Sequence, residues 1–212
     1  MSVTPYRRAM TREEFEWSYE QSYAVHPSLY EAVKKFGREL CPIRYLEIGV
    51  REGDSVAALL SVCKPAFMVL CDDWGTNYGG SGRGSHRHVA DRLNALGYAG
   101  RVEWIDGKSQ ERLKSFPKLD EEFDLILVDG DHSLEGALQD FRNCWPRLRP
   151  GGVMLADDTT HPAHRYLDGA FRDFVASKDG EVVFADNDHS SGIVAAVKRV
   201  RRQGERFSIQ AR

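Results

Sequence analysis

The chain has 212 residues, 42% of them apolar, with 29 basic against 32 acidic side chains and a formal charge of -3. That length and apolar content build one compact core with room for a short accessory segment. The near balance of charge excludes the electrostatic footprint of a nucleic-acid binder, and no stretch reaches the ~20 apolar residues of a membrane span. The amino end, MSVTPYRRAMTREEFEW, has no apolar leader segment, so the cytoplasm is the expected compartment. Cys41, Cys63, Cys71 and Cys144 lie in or beside apolar runs without CxxC or zinc spacing, and are expected to be reduced core residues.

From Thr11 to Leu40 the pattern is helical: Thr11 with Glu14 forms a capping box, and Pro27-Ser28 starts a second helix through Leu29, Val33 and Phe36. IRYLEIGV, SVAALLSVC and FMVLCD then read as strand, helix and strand, a β-α-β unit. WGTNYGGSGRGSH, with five glycines, reads as a loop, and VADRLNALGY as the helix after it. RVEWID, FDLILVDG and GGVMLADD are the third, fourth and fifth strands, with LEGALQDFRNCWPRL as the helix between the last two. EVVFAD and GIVAAVKRV close the chain as a hairpin joined through NDHSS. The implied fold is α/β, a Rossmann-like doubly wound sheet of seven strands, mostly parallel with an antiparallel last strand and helices on both faces.

Carboxylates close several of these strands: Glu47 in YLEIG, Asp72 in FMVLCD, Asp129 in LILVDGDH, and Asp157 and Asp158 in VMLADDT. In a parallel sheet the carboxyl ends of the strands open onto the ligand crevice, so these groups converge there. Gly49 and Gly53 follow the first strand, either for backbone approach to a ligand or for a tight packed turn. Their spacing is neither GxGxxG nor a Walker loop. Asp72 stands where an acidic side chain accepts ribose hydroxyls, with Asp73 beside it as an alternative. Asp129, Asp157 and Asp158 repel one another at one crevice, and a hard cation with oxygen ligands, Mg²⁺ first and Mn²⁺ or Ca²⁺ next, relieves that cost.

In these motifs the chain resembles the class I S-adenosylmethionine-dependent methyltransferases, and among them the small cation-dependent O-methyltransferases of the catechol and caffeoyl-CoA type and the bacterial enzymes that methylate antibiotic sugars. The resemblance is carried, in order over residues 43–160, by LEIGVREGDS, CDDW, IDGKSQERL, LILVDGDHS and GGVMLADDT. It implies that Gly49 and Gly53 let the backbone approach the methionine part of the cofactor, that Ser55 binds its carboxylate, Asp72 its ribose, and Asp106, Ser109 and Gln110 its adenine, with Glu47 also among the cofactor-binding residues. Asp129 would border the cofactor and, with Asp157 and Asp158, hold the cation. The catechol type carries Asp-Asn where this chain has Asp157-Asp158; the sugar-methylating relatives carry Asp-Asp. His132 stands where the catechol type has a lysine and is one candidate base; Asp131, matched in the other relatives, is the other.

His161 and His164 are weaker candidates to line the acceptor pocket, as are Arg83, His86 and His88 for substrate contact. Trp17, Tyr19, Tyr23 and Tyr30 either cap the acceptor or pack the amino-terminal helices on the sheet. The expected organisation is a helical cap over residues 1–40, a methyltransferase domain over 41–200 and a basic, solvated tail over 201–212. Expected activity is methyl transfer to a hydroxyl of a small phenolic or sugar molecule, with no nucleic-acid or membrane partner and a homodimer joined through the amino-terminal helices. Two alternatives stay open: hydride transfer with a nicotinamide cofactor, disfavoured by the glycine spacing, and a cofactor-binding protein with a regulatory role or other chemistry.

Overall fold

The computed structural model describes residues 26–41, 43–75, 84–115, 122–186 and 191–200. The expected helix from Thr11, the aromatics Trp17, Tyr19 and Tyr23, Arg83, most of the NDHSS connection and the basic tail lie outside these residues. In chain order the elements are α1 (Pro27–Leu40), β1 (Arg44–Ile48), α2 (Asp54–Leu60), β2 (Phe67–Asp72), α3 (His86–Ala95), β3 (Arg101–Asp106), α4 (Ser109–Arg112), β4 (Phe123–Val128), α5 (Leu134–Cys144), β5 (Leu148–Asp157), α6 (Tyr166–Ala176), β6 (Gly180–Asp186) and β7 (Ile193–Lys198). They form one seven-stranded sheet in the order β3-β2-β1-β4-β5-β7-β6. β1 to β5 run parallel, and β7 lies antiparallel between β5 and β6. The Rossmann-like sheet with an antiparallel finish is thus the observed fold.

Both faces of the sheet are covered, which is why its central strands read as continuous apolar runs rather than as alternating ones. Leu46, Val69, Ile126 and Met154 face one layer with Phe141, Trp145, Phe171 and Phe174 of the α5–α6 side. Their neighbours Tyr45, Met68, Leu125 and Leu155 face the other layer with Val33 and Phe36 of α1, Leu59 of α2 and Leu93 of α3. Tyr30 is buried in this second layer, so its role is packing.

Three local features depart from the sequence reading. α3 begins at His86 rather than Val89, because the Ser85 hydroxyl accepts the His88 N–H at 3.1 Å and caps the helix there. α6 was not expected, although Leu167, Phe171, Phe174 and Val175 have helical spacing and are all buried. Cys41 and Cys63 are not reduced: they form a disulfide across a Cα separation of 6.0 Å, while Cys71 and Cys144 are free and buried. The pairing follows from packing, since α1 lies close on α2 at Gly37, where a Cβ would stand 2.6 Å from Leu59 Cδ1. Among the described residues no helix is long and apolar enough to cross a membrane.

Candidate active site

The five parallel strands bring their carboxyl ends to one edge, and the tips of β1 and β4 meet there most closely. Asp129 N–H donates to Ile48 O at 2.9 Å, and Gly49, at φ +85°, lies so close to Asp129 that a Cβ would stand 1.8 Å from its carbonyl oxygen. Gly53, at φ +80°, is the left-handed cap of α2 and packs on Val89. Both glycines are therefore required by the fold itself, whatever ligand approaches them. The turn between them is pinned by Arg92 of α3, a buried side chain that donates to Glu52 O and, at 2.6 Å, to Asp54 Oδ1.

Glu47 is fully buried beneath this turn. Ser55 donates its hydroxyl to Glu47 Oε1, and Tyr45, at 2.8 Å, donates to Oε2. Burial outweighs these two bonds and pushes the Glu47 carboxyl up to about 8. The hydroxyl expected to meet a cofactor carboxylate is thus engaged inside the protein.

At the ends of β2 and β3, Asp72 and Asp106 stand side by side in register. Asp72 accepts the N–H groups of Arg51, at 2.7 Å, and Trp74, at 2.6 Å. Asp106 accepts Trp74 Nε1 at 2.8 Å and lies 3.3 Å from His86 Nδ1. His86 stacks on Trp104 with ring centroids 4.0 Å apart, which puts an aromatic floor beside the two aspartates. His88 is elsewhere: it is half-buried on α3, where burial first and the Arg92 charge second lower its pKa.

Ser109 and Gln110 begin α4, and both reach Asp140 of α5. Ser109 Oγ donates to Asp140 Oδ1 at 2.7 Å and Gln110 Nε2 to Oδ2 at 3.1 Å. Burial raises the Asp140 carboxyl from 3.8 to about 7. Between those values the unfolded chain has lost a proton that the folded chain keeps, so this group's stabilisation is full below pH ~4 and is lost as pH rises to ~7. Comparing wild type with Asp140→Asn by urea denaturation should show the wild type's relative stability falling by up to about 4 kcal/mol over that range, at ~1.36 kcal/mol per unit, and flat above it. A constant difference from pH 4 to 8 would contradict the buried state of this carboxyl.

Around the tips of β4 and β5, one ligand atom each of Asp129, His132 and Asp158 lies within 4.8 Å of the others. His132 Nε2 is 3.2 Å from Asp129 Oδ1 and Nδ1 is 3.4 Å from Asp158 Oδ2. Asp158 reaches inward from a left-handed conformation, φ 55°, which a non-glycine residue adopts at a cost of about 1 kcal/mol or more. Asp157 stands behind the cluster, buried, with Oδ1 lacking a hydrogen-bond partner among the described residues. Burial first, and then the charges of Asp129 and Asp158, hold its carboxyl well above the carboxylate range. Burial also raises Asp129, with Asp158 adding to the shift and His132 and Arg51 opposing it. For His132 burial disfavours the charge, but Asp129, Asp158 and Asp131 outweigh it and raise the pKa.

The structure therefore gathers His132 with Asp129 and Asp158, and sets Asp157 behind them rather than among the three. Asp131 turns instead to the start of α5, accepting Ser133 N–H at 2.9 Å. His164 lies 5.1 Å from His132 and 5.2 Å from His161, ring centre to ring centre, extending the cluster along the loop before α6. Tyr166, missed in the sequence, donates its hydroxyl to His132 O at 2.7 Å. Arg51, Tyr45, Arg92 and Asp140 were missed as well; each acts on a partner remote in the chain or within an apolar run.

A Rossmann-like sheet with acidic strand ends around a glycine turn defines a class I methyltransferase. The model of the methyltransferase-domain family matches residues 46–159, more than half of the chain, and the chain belongs to that family. No curated protein matches it. Among solved structures, the O-methyltransferase TomG from Streptomyces achromogenes, involved in tomaymycin synthesis and solved with S-adenosylmethionine, is 22% identical, with 81% of this chain and 78% of that chain covered and a TM-score of 0.57. The O-methyltransferase from Bacillus cereus, in complex with S-adenosylhomocysteine, is 19% identical over 92% of this chain and 93% of its own, at a TM-score of 0.59. The S-adenosylmethionine-dependent O-methyltransferase from Thermotoga maritima is 15% identical over 82% and 66% respectively, at 0.56. These likenesses show the fold, and the family match removes the nicotinamide alternative.

Proposed function

We propose that this enzyme methylates a hydroxyl of a small molecule, with S-adenosylmethionine as donor and a divalent cation held by Asp129, His132 and Asp158. The observation that carries the reading is the cluster of those three side chains at the strand ends, backed by the orphaned oxygen of Asp157. Like charges packed this closely favour a cation, and the fit is one of carboxylate oxygens with one imidazole nitrogen. That nitrogen departs from the oxygen-only set expected from sequence and moves the preference from Mg²⁺ towards Mn²⁺. O-methylation agrees with the activity for which TomG and the B. cereus and T. maritima enzymes are named.

When bound, the cofactor supplies a methyl group already activated by its sulfonium, and the cation supplies Lewis acidity that lowers the pKa of an acceptor hydroxyl. The chain's own part is alignment and proton removal. The Gly49–Gly53 turn, Asp72, Asp106 and Gln110 line the cofactor side, while Ser55 and Ser109 act from beneath, through Glu47 and Asp140. With His132 as a ligand, the remaining candidate base is Asp131, which would have to leave its bond to Ser133 N–H to take the proton.

A second reading is favoured by the two short contacts of the His132 ring: without a cation, Asp129 and Asp158 hold the imidazole by its two nitrogens, and one of these, exchanging its carboxylate for the acceptor hydroxyl, takes the proton. Labelled methyl transfer from S-adenosylmethionine to a panel of adjacent diols, catechol included, separates the two. The cation reading predicts activity with Mn²⁺ that EDTA abolishes and Mn²⁺ restores. Full activity in EDTA supports the imidazole reading, and no transfer to any hydroxyl in the panel contradicts O-methylation.

A further inference from the structure

We propose that Asp140 is a positioning residue for recognition of the cofactor's base: it fixes the amide of Gln110 so that an acceptor oxygen, and not a donor, faces the adenine. This inference rests on the methyltransferase reading above and deepens it. Asp140 lies on α5, thirty residues beyond Gln110, at 0% exposure, and Ser109 is 6% exposed. Two donors converge on the one carboxylate: the Ser109 hydroxyl at 2.7 Å on Oδ1 and the Gln110 amide nitrogen at 3.1 Å on Oδ2. Once ionised, above about pH 7, a carboxylate that receives both bonds acts only as an acceptor, so the amide nitrogen turns towards it and the amide oxygen away. Adenine presents an exocyclic amine, a donor that such an oxygen accepts. Hypoxanthine presents a carbonyl at the same place, and two facing acceptors repel.

The same carboxylate also touches the chemistry side of the site. A Cβ on Gly130 would stand 2.7 Å from Ile48 Cγ2 and 3.2 Å from Asp140 Oδ2, so the carboxylate lies close beside the glycine that follows Asp129. Asp140 thus joins α5 to the start of α4 and lies beside the tip of β4. A buried polar network of this kind specifies orientation when every member is satisfied, and loses it when one acceptor is removed.

The test compares S-adenosylhomocysteine with S-inosylhomocysteine by calorimetry at pH 8, where Asp140 is ionised, on wild type, Asp140→Ala and Asp140→Asn, with thermal melts as a folding control. Wild type should prefer the adenosyl ligand by about a hundredfold. In Asp140→Ala the freed amide can rotate, so the preference should fall to within about threefold, with adenosyl affinity down roughly tenfold. In Asp140→Asn one acceptor oxygen serves two donors, and the preference should fall partway, which keeps the test open if the alanine variant does not fold. Adding Gln110→Ala to Asp140→Ala should cost little more, because the two act as one unit. A merely structural Asp140 would lower the melting temperature and leave the base preference at its wild-type value, and that result overturns the proposal. Wild type that binds neither ligand instead removes the cofactor reading beneath it, and the proposal with it.

Discussion

Asp129→Asn is expected to cut methyl transfer by about 10²–10⁴-fold while the protein folds and still binds S-adenosylhomocysteine. The backbone of Asp129 is fixed by its N–H bond to Ile48 O, which the substitution keeps, and asparagine has nearly the same shape. What is lost is charge. The Asp158 charge raises the Asp129 carboxyl, and the charges of Asp129 and Asp158 add to the burial that raises Asp157, so neutralising Asp129 relieves repulsion on Asp157. Stability should hold or rise, while the cluster loses a ligand and His132 loses its 3.2 Å partner. Opposite changes in stability and turnover mark a group held at a cost for function. Activity within tenfold of wild type, on whichever diol the acceptor panel returns, would remove Asp129 from the chemistry in both readings of the site.

Gly49→Ala should produce the largest loss of stability of any single methyl added at this edge, more than about 4 kcal/mol, and little soluble protein. The Cβ would stand 1.8 Å from Asp129 O, a backbone atom just beyond the end of β4 that cannot turn aside. Relief requires β1 and β4 to part at their tips, which breaks the 2.9 Å bond from Asp129 N to Ile48 O, and the φ of +85° adds strain of its own. Gly97→Ala is the matched comparison: its φ is +68°, but a Cβ there meets nothing within 4 Å. It should lose only the ~1–2 kcal/mol of a left-handed residue, measured by urea denaturation. Equal losses at the two positions would mean that the contact between β1 and β4 is not what Gly49 is for.

The strands and their acidic ends were legible because two covered faces make each central strand a continuous apolar run, and the first carboxylate after the run marks its tip. Asp72, Asp129 and Asp157 could be placed that way without any knowledge of pairing. Hydroxyl direction could not: Ser55 and Ser109 stand at the motif positions, yet each donates inward, to Glu47 and Asp140, and only the packed helices decide that. Asp140 sits mid-helix in LEGALQDF, where an aspartate reads as a solvated residue, because its two donors come from thirty residues away. Arg92 is hidden in the same way, its partners lying near 52–54. The Cys41–Cys63 pair has no sequence signal at a separation of 22, since it depends on how α1 lies on α2. α6 has apolar spacing in LDGAFRDFV, but the histidine- and proline-containing loop before it reads as a site rather than as the approach to a helix. His132 was found as a base candidate, and its place between two carboxylates, which makes it a ligand candidate, emerged only when β4 and β5 were set side by side.

The central claim is most directly tested by calorimetric titration of S-adenosylhomocysteine into the purified protein, once with Mn²⁺ and once with EDTA. The account predicts saturable binding, one ligand per chain, in both conditions, because the cofactor's residues lie on β1 to β3 and α4 while the cation's lie on β4 and β5. No saturable binding in either condition would contradict it, and the acidic edge of the sheet would then serve some other ligand.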